Sequence, residues 1–93
     1  VTLTVTVTDS NGDAVEGARV RIENASTGAL ISNGTTNASG VYTDATYNYG
    51  GDLSVRTKIR LKGYKPFRTL GTIVSTGISV GATLITDTIV DLP

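Results

Sequence analysis

The chain opens on Val1-Thr2-Leu3-Thr4-Val5-Thr6-Val7-Thr8, an unbroken alternation of apolar residues with threonine. Period-two alternation sends successive side chains to opposite faces of an extended strand, and β-branched residues suit that pleated surface. A half-buried strand is predicted here. Asp9-Ser10-Asn11-Gly12-Asp13 follows, and Asn-Gly between strand patterns predicts a turn because both residues tolerate positive φ. A second strand over about residues 18–23 sets Ala18, Val20 and Ile22 inward against Arg19, Arg21 and Glu23. Residues 24–28 read as a polar turn. Residues 29–32 read as a short strand ended by a second Asn-Gly, Asn33-Gly34, and residues 41–47 as a further strand.

Gly50-Gly51 breaks that strand, and residues 53–62 alternate again. Leu53, Val55, Ile59 and Leu61 fall on one face, with Arg56, Lys58, Arg60 and Lys62 in a row on the other. Pro66 lacks the donor a central ladder needs, so the segment from Tyr64 to Arg68 is expected as a loop or edge. Turn signals recur roughly every 8–12 residues with no helical period, which predicts an all-β sandwich.

The stretch from Leu70 onward is less regular. Ile73-Val74, Leu84-Ile85 and Ile89-Val90 are adjacent apolar pairs, so neither face is cleanly polar. Two accounts fit: a central strand or bulge that shifts the alternation, or a face that packs against another chain. On the second account Ile73, Ile78, Val80, Ile85 and Ile89 are the candidate oligomer contacts.

Ninety-three residues, 39% of them hydrophobic, suit a single domain, 1–93, with one core. Cysteine and histidine are absent, which removes disulfides, thiolate metal sites and the usual base of a nucleophilic triad. A start within a strand pattern, without methionine, suggests a piece of a longer product. No apolar run reaches the roughly 20 residues of a membrane span, so no membrane insertion is expected.

Net charge is zero but unevenly spread. Six of the eight basic residues, Arg56, Lys58, Arg60, Lys62, Lys65 and Arg68, lie between Leu53 and Thr69 without an intervening acid. These six are the candidate partner-binding residues. The plain reading is that strand pairing brings acids opposite them; the sharper one is an acidic protein surface or an anionic glycan. Nucleic acid is disfavoured by the zero net charge and the few nearby aromatics, Tyr64 and Phe67.

The run from Asp9 to Val20, with its Gly turn and Gly17-Ala18 before an alternating strand, resembles the carboxypeptidase regulatory-like and collagen-adhesin B-type domains. Asn37-Ala38-Ser39-Gly40-Val41-Tyr42 and Gly63-Tyr64 fit the same pattern in order, so the likeness covers residues 1–67. It implies a transthyretin/immunoglobulin-like Greek-key sandwich of about seven strands. Tyr42 and Tyr64 are then expected to cap the core with wet hydroxyls. The adhesin subtype often carries a Lys–Asn crosslink between first and last strands. Residues 1–8 hold no Lys and residues 69–93 no Asn, so none is expected. The segments 71–80 and 87–90 resemble the end of small virion proteins of tailed phages.

Other chemistry is thin. Asp9, Asn11 and Asp13 imitate half of a calcium loop, but Ala14 and Val20 stand where glycine and glutamate are needed, which favours an ordinary Asx turn. Asn24-Ala25-Ser26 and Asn37-Ala38-Ser39 match the glycosylation pattern, a match that chance explains in so Ser/Thr-rich a chain. No acid sits in an apolar pattern that would suit a general acid. The expectation is a non-enzymatic structural or assembly module without cofactors, extracellular or in a virion, most simply a phage decoration or accessory protein. Its partners are copies of itself or other structural subunits. The alternatives are a bacterial surface stalk or adhesin, and a module that binds a glycan or acidic protein through its basic strand.

Overall fold

The computed structural model describes residues 1–86. Seven strands lie in two sheets, with no helix among the described residues: β1 (Leu3–Asp9), β2 (Arg19–Asn24), β3 (Leu30–Thr35), β4 (Val41–Asp44), β5 (Leu53–Arg60), β6 (Phe67–Ile73) and β7 (Ile78–Leu84). The order is β4-β1-β7 in one sheet and β3-β2-β5-β6 in the other. This is the all-β sandwich that the turn spacing predicts.

Alternation decides which side of each strand turns inward. Leu3, Val5 and Val7 of β1 are fully buried and share one core with Val20, Ile22, Val55 and Ile59 of the opposite sheet. Each such side chain contributes about 1.5–3 kcal/mol on burial, so a strand that turned its other face inward would lose several of these terms together. β1 pairs antiparallel with β4 and parallel with β7, which places it at the centre of its sheet.

Polar side chains fix the connections. Asp9 Oδ1 accepts hydrogen bonds from the amides of Asn11 and Asp13 at 2.8 and 3.0 Å, an Asx turn. The buried Thr36 hydroxyl accepts from Ala18 N at 3.0 Å and donates to Val15 O at 2.6 Å, fastening the loop before β2 to the end of β3. At the edge shared by β3 and β4, Ser32 donates to Asp44 Oδ2 at 2.6 Å. The Tyr42 hydroxyl there has Ser32 Oγ and the Asn33 carbonyl as alternative acceptors. Tyr42 therefore ties two edge strands of different sheets together, where a wet cap was expected.

Two other expectations change. Asn33-Gly34 is no turn: β3 runs straight through it. A Cβ on Gly34 would fall on the Tyr42 ring, so the glycine serves close approach. The strand expected over 41–47 stops at Asp44, whose Oδ1 accepts from Thr46 N and Oγ1 at 2.8 and 2.6 Å and turns the chain away.

Through Thr86 the tail does not follow the first account, a central strand or shifted alternation, since β7 alternates regularly at the edge of its sheet. In β7 the side chains of Ile78, Val80, Ala82 and Leu84 face the core or pack against it, with Ser79, Gly81 and Thr83 outside. The pairs Ile73-Val74 and Leu84-Ile85 each straddle a strand end, the first member fully or nearly fully buried and the second exposed. Ile73 is thus part of the chain's own core and is withdrawn as an oligomer contact. Ile78 and Val80 are half-buried against that core, Ile85 is exposed, and Ile89 lies outside the described residues.

Gly77 sits at φ 99°, and a Cβ there would meet the backbone carbonyl oxygen of Thr2, the acceptor for Ile78 N at 3.2 Å. Backbone cannot yield as a side chain can. Gly77→Ala is expected to cost about 2–3 kcal/mol in urea unfolding. Gly17→Ala, also at positive φ but in open space, should cost only about 1 kcal/mol.

Candidate functional site

Directly paired residues of an antiparallel sheet point to the same side, so register alone places the charges. β2 and β5 pair Arg19 with Arg60, Arg21 with Lys58 and Glu23 with Arg56. β5 and β6 pair Lys58 with Arg68 and Arg56 with Leu70. All of these point away from the core, because Val20, Ile22, Val55, Thr57 and Ile59 between them are buried. The outer face of the four-stranded sheet therefore holds six cations and one carboxylate. Strands about 4.8 Å apart and same-face residues about 7 Å apart along a strand make this a grid.

Glu23 organises one corner of the grid. Its carboxylate accepts from Arg21 Nε at 2.9 Å and Arg56 Nη1 at 2.9 Å, with Lys58 Nζ at 3.1 Å. Its side chain is only 5% exposed, yet what covers it is the basic side chains themselves. A register shift between Ile22 and Glu23 in the pairing with β3 lies at this point, putting Leu30 opposite Glu23. Hydrogen bonds from Arg21, Lys58 and Arg56 hold the Glu23 carboxyl at about 2, far below its ordinary 4.5.

The rest of the grid has no such answer. Among the described residues the ion pairs are the three of Glu23. Arg19 and Arg60 face each other directly, as do Lys58 and Arg68, and like charges so placed repel. Arg60 stands between two hollows. Arg19, Lys58 and Asn33 help to line one, and Lys58, Pro66 and Arg68 the other. Around the end of the sheet, Arg19, Arg60 and Lys62 line a third with Tyr64 and Pro66.

Of the six basic residues singled out in the sequence, Arg56, Lys58, Arg60 and Arg68 share the face. Lys62 and Lys65 stand in the turn at its end, where Lys65 N donates to Ile85 O at 2.8 Å. Strand pairing does bring an acid opposite the basic row, but only at Arg56. At Arg60 and Lys58 it brings more arginine. Arg19, Arg21 and Glu23 were not foreseen as one cluster with the basic strand. Their alternation in β2 was visible, but the pairing of β2 with β5 was not. The aromatics stand at the margin of the face: Phe67 pairs with Ile59 and Tyr64 packs against the core, each half-buried, yet Phe67 borders the hollow of Lys58, Arg60 and Arg68 and Tyr64 that of Arg19, Arg60 and Lys62.

Fold and face together define a seven-stranded β-sandwich module whose distinctive surface is a cationic sheet. The chain belongs to the carboxypeptidase regulatory-like domain family, whose model matches residues 2–87. The match runs through β7, well beyond Phe67, where the recognisable short motifs end. Domains of this family are non-catalytic β-sandwich modules. No curated protein sequence matches the chain.

The depressed Glu23 carboxyl links the face to acid stability. A carboxylate whose folded pKa lies below its unfolded value stabilises the fold above the unfolded value and loses that contribution as pH falls through the folded one. Wild-type stability should therefore decline between about pH 4.5 and pH 2. Glu23→Gln should flatten that decline. Asp44, held below the usual range by Ser32 and Thr46, should supply the slope that remains, as urea midpoints measured across this window would show.

Proposed function

We propose that the chain is a non-enzymatic structural module that fixes its parent protein to a larger assembly through the outer face of the β3-β2-β5-β6 sheet. The observation that carries this reading is the crowding of six cations around one carboxylate on a single sheet face. A solvated face with no partner gains nothing from facing Arg19 with Arg60, whereas an anionic surface docked there turns the same repulsion into attraction. Membership of a non-catalytic family fits a contact role. A virion, with the module as a decoration or accessory element, is the favoured setting because of the likeness of the C-terminal segments to small phage virion proteins. A bacterial surface stalk or adhesin is the second.

Carbodiimide crosslinking joins lysine to carboxylates in contact and needs no knowledge of the partner. Applied to purified virions and to the cell-envelope fraction of the source, it should give intermolecular links at Lys58, Lys62 and Lys65. The preparation that yields them identifies the setting. Parent protein recovered without a link at these lysines in every preparation that contains it would overturn the reading.

A further inference from the structure

We propose that the outer face of the four-stranded sheet recognises an acidic polypeptide, with carboxylates held between Arg19 and Arg60 and among Lys58, Arg60 and Arg68, and with Leu70 as an apolar anchor. This rests on the sheet face being the contact surface and names what that surface takes.

The chain already displays the mode of binding. At Glu23 three basic side chains from two strands converge on one carboxylate at 2.9, 2.9 and 3.1 Å. One step further along β2 and β5, the register repeats the arrangement. Arg19 lies opposite Arg60, and among the described residues no carboxylate is within ion-pair distance of either, while the adjacent Lys58 is shared with Glu23 at 3.1 Å. A further step across, Lys58, Arg60 and Arg68 line a second hollow with Pro66 and Phe67. Both positions offer a carboxylate the converging donors that Glu23 enjoys. Arginine predominates, and its planar fork matches a carboxylate in two parallel hydrogen bonds.

Two observations choose among anions. Single-stranded nucleic acid binding stacks successive bases on exposed aromatic platforms, whereas here Phe67 and Tyr64 only edge the hollows, each half-buried and packed against the core. Leu70 is 70% exposed on the cationic face, opposite Arg56 and two residues along its strand from Arg68. An apolar side chain flanked by arginines gains from a partner that offers both carboxylates and apolar surface. A protein does so, and a sulfated polysaccharide does not.

The test compares binding of a synthetic Glu/Leu-rich peptide, poly-L-glutamate, heparin and oligothymidylate at equal charge and physiological salt, followed by fluorescence anisotropy. The Glu/Leu peptide should bind tightest, and Arg60→Ala and Arg19→Ala should each weaken it by about tenfold, the scale of one charge-assisted contact. Both variants remove one of two facing like charges and should keep the wild-type circular dichroism. Leu70→Ser should weaken the Glu/Leu peptide but leave poly-L-glutamate unchanged. Glu23→Gln releases three basic side chains and should tighten both, which a purely structural role for the cluster would not do. Tighter binding of heparin or oligothymidylate, or full peptide affinity in both arginine variants, would overturn the acidic-polypeptide assignment while leaving the face as a contact surface. Failure of every anion to bind would remove the contact reading as well.

Discussion

The pairing of β2 with β5 is the constraint from which the rest of the molecule follows. These two strands lie at the centre of the four-stranded sheet, and their inner residues, Val20, Ile22, Val55, Thr57 and Ile59, are all buried. A slip of one residue in either strand would turn arginines into the core and valines into water, a loss far larger than any repulsion on the surface. The core therefore dictates the register, and the register dictates that Arg19 faces Arg60 and Arg21 faces Lys58. Surface electrostatics had no vote in that arrangement. Glu23 is the one acid on this face, and its reach to Arg21, Arg56 and Lys58 from a nearly covered position relieves one corner.

The division of labour between the sheets follows. The three-stranded sheet is a Thr-faced layer whose centre, β1, is gripped on both sides by β4 and β7. The sandwich edge between β3 and β4 is closed by the Ser32, Tyr42 and Asp44 side chains. The 14–18 loop is held by Thr36. With these local demands met by short-range hydrogen bonds, the outer face of the four-stranded sheet is left to carry charge that the fold itself does not require. Apart from Glu23 that charge is of one sign, and this is the feature on which the proposed contact role rests.

Much of this was legible in the residues. The alternation in β1, β2 and β5 fixed which side chains are buried, and the Asx turn at Asp9 was visible in its spacing. The Asn33-Gly34 pair misled because a glycine can serve close packing as well as a turn, and only the Tyr42 ring lying over it distinguishes the two. The pairs Ile73-Val74 and Leu84-Ile85 misled because period-two reading assumes a strand continues, whereas Val74 and Ile85 stand where strands end. The cationic face was half visible. The basic row of β5 is contiguous in sequence, but Arg19 and Arg21 join it through a pairing between strands more than thirty residues apart, which no local pattern encodes.

A double-mutant cycle on Arg19 and Arg60 tests the register and its electrostatic consequence most directly. With the two side chains opposite, Arg19→Glu and Arg60→Glu should each raise stability by about 0.2–1 kcal/mol by converting repulsion into an ion pair. The double reversal again sets two like charges opposite each other and should fall well short of the sum of the two single gains, a coupling outside additivity. Additive effects of the two reversals would mean that Arg19 and Arg60 do not face each other, and the account of the cationic face would fail with them.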